Sequence, residues 1–311
     1  MRRPCAGGAL EALRGELAAR GLRLARRLGQ HVLIDPNLNS AIARAALGGE
    51  QPAIVLEVGP GTGALTGALL EAGVRVLAVE LDRGLAGFLR ERFAGALASE
   101  GPGSLALLEC DILARGAINS AVREAISAEL DRSGRDSFRV AANLPYNAAS
   151  RFLLALAGSG LRWSGGAVVV QSELARRLAA RPGSGEYGAV SACWQLLARG
   201  RVEREIGREV FWPRPRVASA LLAIEPRRDG RGARPAEAAP LGEFLKRLFS
   251  QRRKVLKTAL ARAAGLSPEE ADAALAACGL DGLARAETLR PEELLALWRT
   301  VEDPVRRAAT S

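Results

Sequence analysis

The chain is predicted to fold as an α/β protein, a largely parallel sheet with helices on both faces, followed by a small helical domain. Three features of its 311 residues predict this. Short apolar runs alternate with apolar-periodic stretches up to about residue 171, the order expected of strand–helix–strand units. A glycine-rich turn joins the first run to the first periodic stretch, and beyond residue 240 only helical periodicity remains.

The first apolar run, residues 53–58, leads into Gly59-Pro60-Gly61-Thr62-Gly63 and then a periodic stretch at 64–70, which reads strand, tight turn, helix. Glycines let the backbone approach a ligand closely, and the helix N-terminus behind them favours polar or anionic groups. A second run, 74–79, ends in Glu80, about 20 residues after the turn. A carboxylate at that strand tip can accept both hydroxyls of a ribose. The third run, 105–108, is followed by Asp111, a candidate partner for an adenine amine. The fourth, 138–142, delivers Asn143-Leu144-Pro145-Tyr146 to the same edge of the sheet. Helices are predicted at 120–130 and 148–156, and further strands at 167–171 and 218–224. Residues 225–240, with four arginines, read as an exposed linker. Segments 241–264, 268–278 and 291–301 read as a helical domain, with Ser267-Pro268 as a helix start.

The tetrapeptide at 143–146 names a reaction. The amine of a nucleobase is a poor nucleophile, because its lone pair is delocalised into the ring. The Asn143 side-chain oxygen and the main chain near Leu144 and Pro145 can accept its N–H bonds and aim the lone pair at an electrophilic methyl group. Pro145 stiffens the turn, and Tyr146 offers a ring face on which a base can stack. Phe211, in Phe211-Trp212-Pro213, is the expected second ring of a sandwich around the base. Taken alone, the tetrapeptide is also compatible with an ordinary strand end and proline turn. Gly59, Gly61 and Ala64 likewise fit the G-x-G-x-x-A of dinucleotide-binding turns. A hydride-transfer enzyme has no use for the tetrapeptide, so the motif order favours S-adenosyl-L-methionine, bound in a Rossmann-like sheet, over a nicotinamide dinucleotide.

The chain resembles the bacterial rRNA small-subunit adenine N6,N6-dimethyltransferase family, within the rRNA adenine dimethylase superfamily that includes the erythromycin-resistance methylases. The landmarks run from Gly29-Gln30-His31-Val32-Leu33 through 57–66, Glu80-Leu81-Asp82, Asp111, Asn143–Asn147, Gln171-Ser172-Glu173, Tyr187-Gly188 and 211–213 to Ser250–Lys254. The resemblance implies dimethylation of N6 on two adjacent adenines near the 3′ end of 16S rRNA, within a partly assembled small subunit. It implies a cofactor site at His31, Leu33, Gly59, Gly61, Gly63, Glu80, Asp111 and Asn143, and an acceptor site at 143–146. His31 stands where the family has Asn, Ser172 and Ala189 replace basic residues, Arg214 interrupts a proline run, and Ala218 replaces an acid. These changes bear on RNA recognition more than on methyl transfer.

Charge agrees with a polyanionic partner: the net charge is +10, and seven basic residues with no acidic one lie between 244 and 268. Arg252, Arg253, Lys254 and Lys257 are the expected contacts to the RNA backbone. Seven arginines in the first 34 residues suggest a second basic arm. The expected domains are a basic extension at 1–28, a Rossmann-like methyltransferase domain at 29–239 and a helical RNA-contacting domain at 240–311. Four scattered cysteines and one histidine exclude a disulfide framework and a His-cluster metal site, so no metal is expected. No apolar stretch has the length of a membrane span, so a cytoplasmic protein is expected; a monomer is expected as well. A 23S rRNA methylase of the antibiotic-resistance type, a non-catalytic assembly or transcription factor and a small-molecule methyltransferase are the alternatives. The first shares every catalytic residue, the second predicts decay in 59–63 or 143–146, and the third leaves the basic segment unexplained.

Overall fold

The computed structural model describes residues 6–24, 30–49 and 54–302. From the N-terminus these form helix α1 (Ala6–Ala19), strand β1 (Val32–Leu33), α2 (Pro36–Leu47), β2 (Ile54–Val58), α3 (Ala64–Glu71), β3 (Arg75–Glu80), α4 (Arg83–Arg92) and the short α5 (Ala94–Leu97). Then come β4 (Leu105–Glu109), the hairpin β5 (Leu113–Ala114) and β6 (Ala117–Ile118), α6 (Ser120–Ser133), β7 (Phe138–Asn143), α7 (Ala149–Ala157) and β8 (Trp163–Gln171). The next elements are α8 (Ser172–Leu178), α9 (Ala189–Leu197), β9 (Ala198–Ile206), β10 (Phe211–Trp212) and β11 (Ser219–Pro226). Four helices complete the chain: α10 (Ala238–Ser250), α11 (Leu256–Ala264), α12 (Pro268–Ala277) and α13 (Pro291–Glu302).

Two compact units interleave along the chain: Met1–Leu156 with Leu161–Ala175 and Arg201–Glu225, and Ala157–Gly160 with Arg176–Gly200 and Pro226–Ser311. The first is built on a sheet of strand order β4-β3-β2-β7-β8-β11-β9. Strands β4, β3, β2, β7 and β8 are mutually parallel, and β11 runs antiparallel to β8. All five residues of β2 are buried, as expected for a strand with both sheet faces covered. The chain leaves β2 for β3 on one side and returns as β7 on the other. Strand order therefore reverses between β2 and β7, and at such a switch point the strands' carboxyl ends open into a crevice.

Local sequence explains both the elements predicted and those missed. Strand β9, Ala-Arg-Gly-Arg-Val-Glu-Arg-Glu-Ile, carries charge along an edge of the sheet, where charged side chains oppose further pairing; its low hydrophobicity hid it. Helix α4 starts at Asp82, whose Oδ1 accepts from the N–H groups of Gly84 (2.9 Å) and Leu85 (3.1 Å). Helix α1 packs through Leu17 against Leu85 and Phe88 of α4. Its neighbour Arg20 pairs with Glu91 at 2.9 Å, and the Arg14 guanidinium lies 5.1 Å from the Trp212 ring centre. Part of the expected basic arm is thus an internal brace, while Arg2, Arg3, Arg26 and Arg27 lie outside the described residues, as do Cys5, Leu28 and Gly29.

In the second unit α10 packs against α9, α11 and α13, and α12 against α11 and α13. Trp194 and Phe244 are fully buried there. Helix α9 brings residues well before 240 into this unit, because its apolar face closes the helical core. Residues 225–240 are not an exposed linker. The Arg227 side chain is 9% exposed and donates to Glu292 (2.6 Å), Asp229 (2.8 Å) and the Gln195 carbonyl (2.9 Å), while Glu237 is held between Arg234 and Arg299. The predicted helical run 241–264 is broken at 251–255 into α10 and α11.

Candidate active site

A cavity of about 500 Å³ opens where strand order reverses. Four strand ends, of β2, β3, β4 and β7, supply its walls. After β2, Gly59 and Gly61 adopt φ of 67° and 60°, a left-handed backbone in which side chains are strained. This turn curls back so that Gly61 N–H donates to Glu80 Oε2 at 2.9 Å. At the end of β3, Glu80 is 4% exposed, and its Oε1 accepts from Asp82 N–H at 2.9 Å. Burial pushes the Glu80 carboxyl upward against the backbone N–H groups that hold it down. Each oxygen retains a lone pair for a ligand hydroxyl. After β4, Asp111 lies exposed on the cavity wall, its Oδ1 accepting from Leu113 N–H at 2.9 Å.

The acceptor motif follows β7. A Cβ built on Gly59 would lie 3.7 Å from Pro145 Cδ, so the glycine turn and the tetrapeptide are packed side by side. Asn143 Nδ2 donates to the His31 carbonyl at 2.6 Å. A carbonyl can only accept, so this bond decides which end of the amide is nitrogen and leaves Oδ1 as the acceptor. The His31 ring sits 5.3 Å from the Tyr146 ring and its Nδ1 is 2.6 Å from the Pro213 carbonyl, which assigns the proton to Nδ1. The Tyr146 hydroxyl shares a 2.6 Å hydrogen bond with Ser219 Oγ, and burial pushes its phenol up.

His31, Leu33, Gly59, Gly61, Glu80, Asp111, Asn143, Leu144, Pro145 and Tyr146 all line the one cavity. Two expected residues do not. Gly63 (φ 80°) turns its missing side chain towards α4, where a Cβ would collide with the Phe93 ring. Its glycine is needed for packing rather than for the cavity wall. Phe211 is 3% exposed in the main core, paired with Leu33 across β1 and β10. Alternation along β10 sends Phe211 inward and leaves Trp212 half-buried, so the expected Tyr146–Phe211 sandwich is not formed.

Among the wall residues that were missed, three stand out. Glu57 is 1% exposed with a buried Oε2 that has no partner, and burial raises its carboxyl to about 8. Leu81, half exposed, and Ile112 offer apolar surface for a planar ring. Each of these two follows directly after a predicted acid, the signal that would have found them. Cys110 also lines the cavity, its thiol pushed up by burial and by Asp111. Among the described residues no three His, Cys, Asp or Glu are placed to hold a metal, and no helix is long and apolar enough to cross a membrane. The orphaned Glu57 oxygen, the acceptor capacity of Glu80 and the glycine cradle fit a ligand with a ribose and a cationic end, as S-adenosyl-L-methionine has.

Of the basic residues expected on RNA, Arg252 contacts the Gly185 carbonyl (3.1 Å) and Glu287 (3.7 Å), and Lys257 pairs with Asp272. Arg253 and Lys254 are exposed.

Comparison with known proteins agrees with this geometry. The chain is 38% identical over 298 residues to a ribosomal RNA small subunit methyltransferase A of Rhodospirillum rubrum, covering 95% of this chain and 94% of the relative. It is 40% identical over 276 residues to that of Streptomyces avermitilis, covering 89% and 88%. The fold is shared with a dimethyladenosine transferase from Plasmodium falciparum (TM-score 0.64, 19% identity, 85% of this chain and 94% of that one). It is shared also with the 23S rRNA methyltransferase ErmE (TM-score 0.56, 23% identity, 86% and 98%). The ribosomal RNA adenine dimethylase family model matches residues 21–303, and the chain belongs to that family of S-adenosyl-L-methionine-dependent enzymes.

Proposed function

We propose that the protein dimethylates N6 of two adjacent adenines near the 3′ end of 16S rRNA, acting as a cytoplasmic monomer on a partly assembled small subunit. The observation that carries the chemistry is the Asn143 amide, its nitrogen tied to the His31 carbonyl and its oxygen left to accept. The relatives at 35–40% identity carry the choice of RNA, since they are small-subunit methyltransferases.

Bound S-adenosyl-L-methionine supplies an electrophilic methyl group on sulfur. Glu80 would hold the ribose hydroxyls, Asp111 the adenine amine, Leu81 and Ile112 the faces of the ring. Glu57, Gly59 and Gly61 would receive the amino-acid end, beside His31 and Leu33. Asn143 Oδ1 and the main chain at Leu144 and Pro145 accept the substrate N–H bonds. Tyr146 stacks on the target base, held in place by Ser219 and His31. The protein's contribution is orientation, and the proton leaves to water once the nitrogen is positively charged.

Mass spectrometry of rRNA from a deletion strain tests the reading. Loss of dimethyladenosine from the 16S 3′ region is expected. Loss from 23S rRNA instead would reassign the target to the large subunit, and no loss would mean a non-catalytic factor.

A further inference from the structure

Two arginines in the cavity wall have no part in the chemistry above. Arg115 lies at the tip of the β5–β6 hairpin, next to the Asp111 end, and Arg151 lies in the first turn of α7, after Tyr146. Both are exposed, so they stand at the cavity's mouth. Among the described residues neither guanidinium is paired with a carboxylate; Arg151 donates to the Asn147 carbonyl at 3.3 Å.

Arg115 is also in the wrong place for an ordinary turn residue. The hairpin closes through Arg115 and Gly116, with φ of 51° and 83°. Such a two-residue turn favours Asn, Asp or Gly at its first position, where a longer side chain is strained. Among the described residues, Arg115 is the one non-glycine with positive φ. Strain kept at a cavity rim, without an internal partner to compensate it, points to a ligand.

The ligand's charge follows from what enters. A base drawn out of an RNA strand goes in base first, so the phosphates on either side of it remain at the mouth. We propose that Arg115 and Arg151 bind the phosphodiesters flanking the target adenosine. The proposal rests on the chain being an rRNA methyltransferase. The carboxylate of the cofactor is the other anion available, and an arginine that held it would be needed for cofactor affinity as well.

The test uses Arg115→Gly and Arg151→Ala in the full-length protein, with small subunits from a deletion strain as the RNA probe. Each variant is expected to bind the particles about threefold to tenfold more weakly and to lower the log–log salt slope by about 0.7 to 0.9. S-adenosyl-L-methionine affinity, measured by calorimetry, should not change. Arg115→Gly should melt no lower than wild type, because glycine relieves the turn, a combination that a purely structural arginine would not produce. Unchanged slopes for both variants, with active wild type, would overturn the clamp alone. A loss confined to cofactor affinity would overturn it in favour of the cofactor carboxylate. Wild type that neither binds nor methylates the particles would overturn the clamp together with the function on which it rests.

Discussion

Asn143 shows how one hydrogen bond sets a chemical role. With Nδ2 held by the His31 carbonyl, its oxygen is left to accept, and in the proposed reaction removing it deprives the transition state of an acceptor. Asn143→Ala is expected to lower single-turnover methylation by at least about tenfold with cofactor and RNA binding largely retained, measured separately by quench-flow and titration. Glu80→Gln should weaken S-adenosyl-L-methionine by on the order of 1 to 3 kcal/mol in calorimetry, the range for charged hydrogen bonds. Unchanged affinity in a folded variant would remove Glu80 from the ribose site. Glu57 adds a pH dependence. Its carboxyl is raised from 4.5 to about 8 by burial, so the folded state binds the extra proton between those values. Stability from this group is therefore full below pH 4.5 and is lost as pH rises towards 8. Urea denaturation should show Glu57→Gln gaining on wild type by up to a few kcal/mol over that window.

At the level of elements, α3 carries two glycines with opposite requirements. Gly63 caps the helix at φ 80°, with Phe93 and Leu89 where a side chain would go. Gly67 lies inside the helix with nothing within 4 Å of a built Cβ. Gly63→Ala should cost about 1 to 3 kcal/mol through overpacking and a left-handed backbone. Gly67→Ala should stabilise by about 0.5 to 1 kcal/mol through helix propensity. Equal effects on the denaturation midpoint would contradict both assignments. The motif at 59–63 announced this turn in the sequence, but only packing separates the glycines that face the cavity from the one that faces α4.

For the molecule as a whole, a net charge of +10 steers it towards RNA, yet not every cation in the basic segment is available. Arg252 and Lys257 have carboxylate partners within their own unit, whereas Arg253 and Lys254, exposed like Arg252, have none among the described residues. Arg253→Ala with Lys254→Ala is therefore expected to lower the salt slope of small-subunit binding by about two contacts' worth, roughly 0.7 to 0.9 each. Arg252→Ala should instead lower the melting temperature. A slope that follows Arg252 and Lys257 would reverse the division.

The sequence by itself determined the sheet apart from its charged edge strand β9, and the strand ends that meet at the cavity: Gly59, Gly61, Glu80, Asp111 and Asn143 to Tyr146 were legible because buried strands read as continuous apolar runs and candidate site residues sit where those runs stop. Tertiary structure alone decided what each aromatic and cation faces. Phe211 went to the core because a neighbouring strand, β1, took it there, and Arg14, Arg20, Arg227 and Arg252 became internal fasteners because their partners lie elsewhere in the chain. Glu57 stayed hidden for the same reason, since its burial depends on helices that cover both faces of β2. Periodicity reports which side of an element is apolar; it carries no information about which distant residue will meet that side.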